Sequence, residues 1–319
     1  MRRRGASSRP HPSPPSCAGC WRPEASSPSR GSWRRAPIAS SPTPQAYIFT
    51  LLERHVDEEV SSATIVEALG RLGISEQVAR LTLSRMVERG YFVRRRQGRR
   101  MHFLITDRCR EVLRVNRSRL QESLTERDQP SANQWTLLSF SIPEVRRRDR
   151  RALRVKLAWE GFGPLRDGVW IAAGERDVSE IVRELELDGC VDVFTGQIRD
   201  PERVVRRVWE LDTLRVGYDE FLRRWDGTGL PPEARDELGA EILLITEWRM
   251  LVRAYPRLPP EYLDGDWPVA RCEEVVRRRR RELEPPARQR FQEILDAQPG
   301  RAGEPGRRAA PSPPGGAAP

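Results

Sequence analysis

The stretch Ser61–Thr106, SSATIVEALGRLGISEQVARLTLSRMVERGYFVRRRQGRRMHFLIT, restricts the chain to few folds, because apolar spacing, turn residues and charge change in step along it. Ser61 or Ser62 stands where it can cap a helix over Ala63–Leu69, with Ile65, Ala68 and Leu69 on its inner face. Gly70–Ile74 predicts a turn, and Gly73 supplies the permissive backbone that a sharp helix-to-helix angle demands. Ser75 caps the next helix, and Glu76 in its first turn suits the positive helix end. Ala79, Leu83, Met86 and Val87 recur at helical spacing and predict a buried face. Gln77, Arg80, Ser84 and Arg85 are left pointing outward, and Gly90 closes the helix. Tyr91–Arg96 and Arg99–Ile105 then read as two strands joined at Gln97-Gly98, with Arg94, Arg95, Arg96, Arg99 and Arg100 crowded on the hairpin.

Helix, tight turn, helix and basic hairpin is the order of a winged helix-turn-helix, whose second helix fits the DNA major groove. The expected DNA contacts are Ser75, Gln77, Arg80, Ser84 and Arg85 from that helix and Arg94, Arg96, Arg99 and Arg100 from the hairpin. Arg and Gln suit base edges and phosphates. A wing this basic suits the phosphate backbone or the minor groove. The competing readings are a solvated Arg-rich face, or a winged helix that serves only protein contacts. The net charge of +10 and the pI near 10.2 point to a polyanionic partner. Lys156 is the only lysine, a skew that fits GC-rich coding, so clustering on the hairpin weighs more than the total.

Composition excludes several classes. Cys109, Cys190 and Cys272 are scattered singly, as suits reduced cytoplasmic thiols. Cys17 and Cys20 have metal-ligand spacing, but no second pair or nearby histidine completes a site, so no metal and no cofactor are expected. No apolar run approaches the ~18 residues of a membrane helix. The opening Met-Arg-Arg-Arg is followed by Ser and Pro rather than an apolar core, so no secretion signal is expected. His11, His55 and His102 are the only histidines, and no Gly-x-Ser-x-Gly elbow or phosphate loop is present.

The organisation expected is α+β and multidomain. Residues 1–44, rich in Pro, Ser and Arg, predict a disordered basic arm. Residues 45–128 hold the winged domain, beginning with a helix that carries Ile48, Leu51, Leu52 and Val56 and ending with a linker helix from Asp107 to Leu124. The polar stretch Glu126–Asn133 marks a boundary. Residues 133–200 alternate as strand Trp135–Ile142, helix Glu144–Glu160, strands Phe162–Leu165 and Val169–Ala172, helix Val178–Leu187 and strand Val191–Thr195. That is the order of a ferredoxin-like α/β sandwich. Residues 201–298 predict a helical C-terminal domain, with helices Arg203–Leu214, Tyr218–Trp225, Arg235–Ala254 and Ala270–Ala297. Residues 299–319 predict a loose tail.

Three blocks in this order resemble the PaaX family of repressors, regulators of bacterial phenylacetate catabolism. They are GISEQVARLTLSRMVERGYF at Gly73–Phe92, SIPEVRRRDRRALRVKLAWEGFGPLRDGVWIA at Ser141–Ala172 and ILLITEWRMLVRAYPRLPPEYLDGDWP at Ile242–Pro268, and the likeness spans about Ala46 to Leu295. The resemblance implies a homodimer on a double-stranded DNA operator, released by an aryl-CoA thioester such as phenylacetyl-CoA. Glu247, Trp248, Arg249, Tyr255 and Trp267 are the expected effector residues: an Arg with aromatics can grip a CoA phosphate and stack an aryl group. Thr246 stands where family members often carry a histidine, and Leu251–Arg257 replaces a Phe- and Asp-rich stretch, departures that leave room for an effector other than phenylacetyl-CoA.

A different class, a metal-dependent nuclease related to the CRISPR spacer-integration subunit, shares the middle fold. Such nucleases carry an Asp at the end of the first strand, to hold a divalent metal. Here Leu137-Leu138-Ser139-Phe140-Ser141 offers no carboxylate until Glu144, which argues against it.

Overall fold

The computed structural model describes residues 42–56, 59–98, 100–124, 134–254, 256–263 and 265–297. Arg99, Tyr255, most of the expected N-terminal arm, the boundary at Glu126–Asn133 and the expected tail lie outside the described residues.

The first helix, α1 (Pro44–His55), begins inside the stretch expected to be an arm. Thr43 Oγ1 accepts from the Ala46 amide at 3.3 Å, and Pro44 takes the first turn, where its missing N–H costs nothing. A short strand that the sequence pattern does not announce, β1 (Glu59–Ser61), follows. Then come α2 (Ser62–Gly70), α3 (Glu76–Glu88), β2 (Phe92–Gln97) and β3 (Arg100–Ile105). Ser61 and Ser75 cap the two helices through the amides of Thr64 and Val78. Gly73 (φ 70°) and Gly90 (φ 75°) take the left-handed conformation at the two places where the chain must leave a helix sharply. The three strands form an antiparallel sheet in the order β1-β3-β2, and α4 (Asp107–Leu124) leaves it.

The middle of the chain runs β4 (Trp135–Phe140), α5 (Arg147–Trp159), β5 (Gly163–Arg166), β6 (Val169–Ala173), α6 (Ser179–Glu184) and β7 (Val191–Gly196). The sheet order is β5-β6-β4-β7, with every neighbouring pair antiparallel. Alternation along the strands puts Leu138, Phe140 and Trp170 on one face, where Leu153 and Leu157 of α5 and Val182 of α6 cover them. Two helices are shorter than the apolar pattern implies. Glu144–Arg146 winds as a 3-10 turn behind Pro143, so α5 starts later. Glu186 turns through the left-handed region (φ 51°), and the Leu187 amide returns to the Val182 carbonyl, which ends α6 and buries Leu187 completely.

The remaining elements are α7 (Pro201–Val208), α8 (Leu211–Trp225), α9 (Glu237–Ala254) and α10 (Val269–Asp296). The expected single helix Arg203–Leu214 is interrupted at Trp209, which is extended (φ −117°, ψ 135°). Its indole is buried 6.3 Å from that of Trp135, on the second face of the four-stranded sheet. Burying an indole there outweighs the few tenths of a kcal/mol of local helix preference. One apolar core runs without interruption from Ile48 and Leu51 of α1 through Leu83 of α3 to Leu244 and Ile245 of α9 and Val276 and Phe291 of α10. The N-terminal helices are therefore packed directly on the C-terminal ones. Among the described residues no helix is long and apolar enough to cross a membrane.

Candidate nucleic-acid interface

Helix α3 is anchored by Ala79, Leu83 and Met86, each at most 1% exposed, and this fixes which of its side chains face solvent. Gln77, Arg80 and Arg85 lie on that outer face, with Ser84 half-buried beside them. Arg80 is drawn along the helix by Glu76, Nε to Oε1 at 2.7 Å, and also reaches Ser62 at 3.4 Å. Both contacts are exposed or only partly buried, so they contribute little stability and can be exchanged for a ligand. Arg85 makes no polar contact with another described residue. Ser75 spends its hydroxyl on the helix cap, 3.4 Å from the Val78 amide, so its place at the helix N-terminus is structural first.

The hairpin flanks this face. Arg94 donates to Ser84 Oγ at 2.5 Å, which ties β2 to α3. Arg95 is held by Glu59 of β1, while Arg96 Nε reaches only the Gly98 carbonyl at 3.1 Å. Arg100 is half-buried and unpaired among the described residues. The structure therefore gathers Gln77, Arg80, Ser84, Arg85 and Arg94 on one surface with Arg96 and Arg100 along its hairpin margin. Two residues of this face escape the polar pattern: Leu81 is 50% exposed and Val78 41%. Their signal was present in the sequence, since an apolar residue at an outward position of an otherwise well-patterned helix has no core to fill. On a DNA-reading helix such residues can meet thymine methyl groups.

Of the expected effector residues of the C-terminal part, the four that are described are each held by contacts within the chain. Glu247 accepts from Trp225 Nε1 at 2.8 Å and lies 3.4 Å from Arg224. Trp248 is fully buried, with its indole N–H on Ser123 Oγ at 3.0 Å. Trp267 packs edge-on to Tyr218, ring centroids 6.1 Å apart. Arg249 points the other way, into the joint between α9 and α1.

That joint is ionic although it lies within the core. Arg249 grips the Glu53 carboxylate and donates to Thr50 Oγ1 at 3.1 Å, and Thr50 and Thr246 share a hydrogen bond of 2.8 Å. One turn along, Glu241, with no exposed surface, takes His55 Nε2 at 2.7 Å and Arg54 Nε at 3.0 Å. Burial pushes the Glu53 carboxyl up and the Arg249 guanidinium down, while each partner favours the charged form of the other. Burial acts to raise Glu241 as well, but the His55 hydrogen bond and charge, with Arg54, outweigh it and leave that carboxyl below its ordinary value.

The chain is 28% identical over 230 residues to the transcriptional repressor PaaX of Escherichia coli, a match that spans 67% of this chain and 71% of that protein. With an exposed basic helix-and-hairpin face on a multidomain scaffold, this likeness defines a transcriptional regulator by class. Residues 43–109 match the family model of the PaaX-like protein, residues 128–208 that of the PaaX protein central Cas2-like domain, and residues 209–293 that of the PaaX-like protein C-terminal domain. The chain belongs to the PaaX family. An uncharacterised protein from Mycobacterium tuberculosis has a similar fold, with a TM-score of 0.51 at 21% identity over 79% of this chain and 99% of that one.

Proposed function

We propose that the chain is a sequence-specific DNA-binding repressor. In this reading it acts in the cytoplasm as a homodimer, controls an aromatic-acid operon of the phenylacetate type, and leaves the DNA when an aryl-CoA binds. Residues 44–105 are read as a winged helix-turn-helix, with α3 in the major groove and the β2–β3 hairpin along the phosphates. The unit β4–β7 is read as a ferredoxin-like sandwich. The observation that carries the reading is the outer face of α3: Arg85 unpaired, Arg80 in an exchangeable contact, and Leu81 exposed, beside a hairpin whose Arg96 and Arg100 meet no carboxylate among the described residues. The repressor name of the Escherichia coli relative supports the sign of regulation. A two-fold dimer would take a palindromic site with half-sites about 34–36 Å, or a multiple of that, apart.

The nuclease alternative is not favoured. Strand β4 carries no carboxylate, and among the described residues no three His, Cys, Asp or Glu side chains converge in a way that would hold a metal ion. Mapping the binding sites of the chain across its source genome tests the proposal. A palindrome upstream of genes for an aromatic-acid pathway is the expected result, and binding without sequence preference would contradict it.

A further inference from the structure

The turn between α2 and α3 is held from behind by α9, a helix from the far end of the chain. Arg71 closes α2, and its carbonyl is one of those that a helix end leaves without an internal partner. The Arg235 amide, just ahead of α9, donates to that carbonyl at 2.8 Å. Asp236 caps α9: its Oδ1 accepts from the Gly239 amide at 3.0 Å, and its Oδ2 lies 3.4 Å from the Arg71 guanidinium. The carbonyl end of α2 thus meets the amide end of α9, a pairing that the two helix dipoles favour.

Gly239 shows how close the approach is. A Cβ placed on it would stand 2.6 Å from the Arg71 carbonyl oxygen and 3.3 Å from the Arg71 Cβ, so no larger residue fits without moving that backbone. Gly239 lies in the first turn of α9 and has no left-handed backbone, and Ala would suit the helix itself better. Close approach to Arg71 is what requires a glycine there. The turn that follows Arg71 is tied to the same helix end: the amides of Leu72 and Ile74 return to the Leu69 carbonyl, and that of Gly73 to Gly70. Ser75, the cap of α3, comes next. A shift at Arg71 is therefore passed straight to the helix that presents Arg80 and Arg85. Further along α9, Glu241 holds Arg54 and His55 and Arg249 holds Glu53, so the helix grips the N-terminal unit at successive levels.

We infer that α9 is a strut that sets the angle of α3, with Gly239 and Asp236 as positioning residues for DNA reading although neither lies on α3 or the hairpin. The inference rests on the DNA-reading role proposed above for α3, and it adds the C-terminal helices to the machinery that aims that helix. Base edges are read through hydrogen bonds of set geometry, whereas attraction to phosphates carries no sequence information. A tilted α3 loses its preference for the operator before it loses affinity for DNA in general.

The test compares the full chain with Gly239→Ala and Asp236→Asn on two duplexes of equal length, one carrying the operator found by genome mapping and one of unrelated sequence. Asn keeps the cap of α9 but drops the charge that faces Arg71. Gly239→Ala should lower operator affinity about tenfold and leave affinity for the unrelated duplex within about twofold, so that the ratio of the two falls about tenfold. Asp236→Asn should lower the ratio in the same way but more weakly, about two- to threefold. The thermal midpoint of each variant reports folding separately. Equal weakening on both duplexes, with a lowered midpoint, would mean that the contact only supports the fold and would overturn the strut. An unchanged ratio in a folded Gly239→Ala protein would overturn it as well. Should Gly239→Ala fail to fold, Asp236→Asn decides: a lowered ratio supports the strut and a wild-type ratio overturns it. A wild type that binds the two duplexes equally would overturn the DNA-reading role itself, and the strut with it.

Discussion

The outer face of α3 and the joint between α1 and α9 are both rich in arginine, and they use it in opposite ways. At the joint Arg249 and Arg54 are enclosed and matched to carboxylates: Arg249 to Glu53, and Arg54 to Glu241 at 3.0 Å and Glu284 at 2.9 Å. On α3 and the hairpin, Arg85, Arg96 and Arg100 have no carboxylate partner among the described residues. A guanidinium whose charge is already answered within the chain has little left for a polyanion; one held in solvent beside others keeps its full charge for phosphates and its donors for base edges. The net charge of +10 counts both kinds alike, so it could not by itself locate a binding surface. Location and pairing separate them.

The contrast breaks first, and most visibly, at the joint. Arg249→Ala leaves Glu53 buried without its partner and should cost about 3–5 kcal/mol in denaturant unfolding, whereas replacing both residues by apolar ones of similar size should recover most of it. Equal losses in the single and double variants would show that packing, rather than charge matching, holds the joint. Glu241 sharpens the same point through pH. Its folded-state carboxyl lies below the ordinary value of 4.5, so its contribution is present above that value and is lost as pH falls through the depressed one. Unfolding measured from pH 7 down to 3 should show this loss only below about 4.5, and Glu241→Gln should flatten that part of the curve. A loss confined to pH 6–7 would mean that another group dominates.

On the exposed face the expected effects concern binding rather than folding. Arg85→Ala should cost about 1–3 kcal/mol on the operator while changing unfolding free energy by less than about 0.5 kcal/mol. Arg100→Ala should do less at any one salt concentration. It should weaken all duplexes alike and reduce the slope of log affinity against log salt by about one. Sequence-dependent losses at Arg100 would move the hairpin from phosphate contact to base reading.

Much of this was legible in the sequence, and the parts that were not have physical causes. Ser61, Ser75, Gly73 and Gly90 carry local instructions, and the N-terminal helices start and stop where those residues say. The break at Trp209 was not legible, because the ring that buries it, Trp135, is far away in sequence. Strand β1 escaped for a similar reason: three residues form a strand only because β3 offers a free edge to pair with. Trp248 and Arg249 looked like ligand residues in one dimension, since an aromatic next to a cation reads as an anion site. The helix turns the indole onto Ser123 and the guanidinium onto Glu53, both of them partners far away in sequence.

On the proposed function, position and lack of pairing, rather than total charge, single out the α3 face for reading DNA. Equilibrium binding of the full chain to its own promoter fragment tests it most directly, with Arg85→Ala set beside Arg206→Ala. Arg206 is an exposed arginine of α7 that pairs with Glu202 at 3.2 Å, so each substitution removes one positive charge from the surface. The expected outcome is a loss of about 5–150-fold for Arg85→Ala and a change within about twofold for Arg206→Ala. Equal losses for the two variants would contradict it.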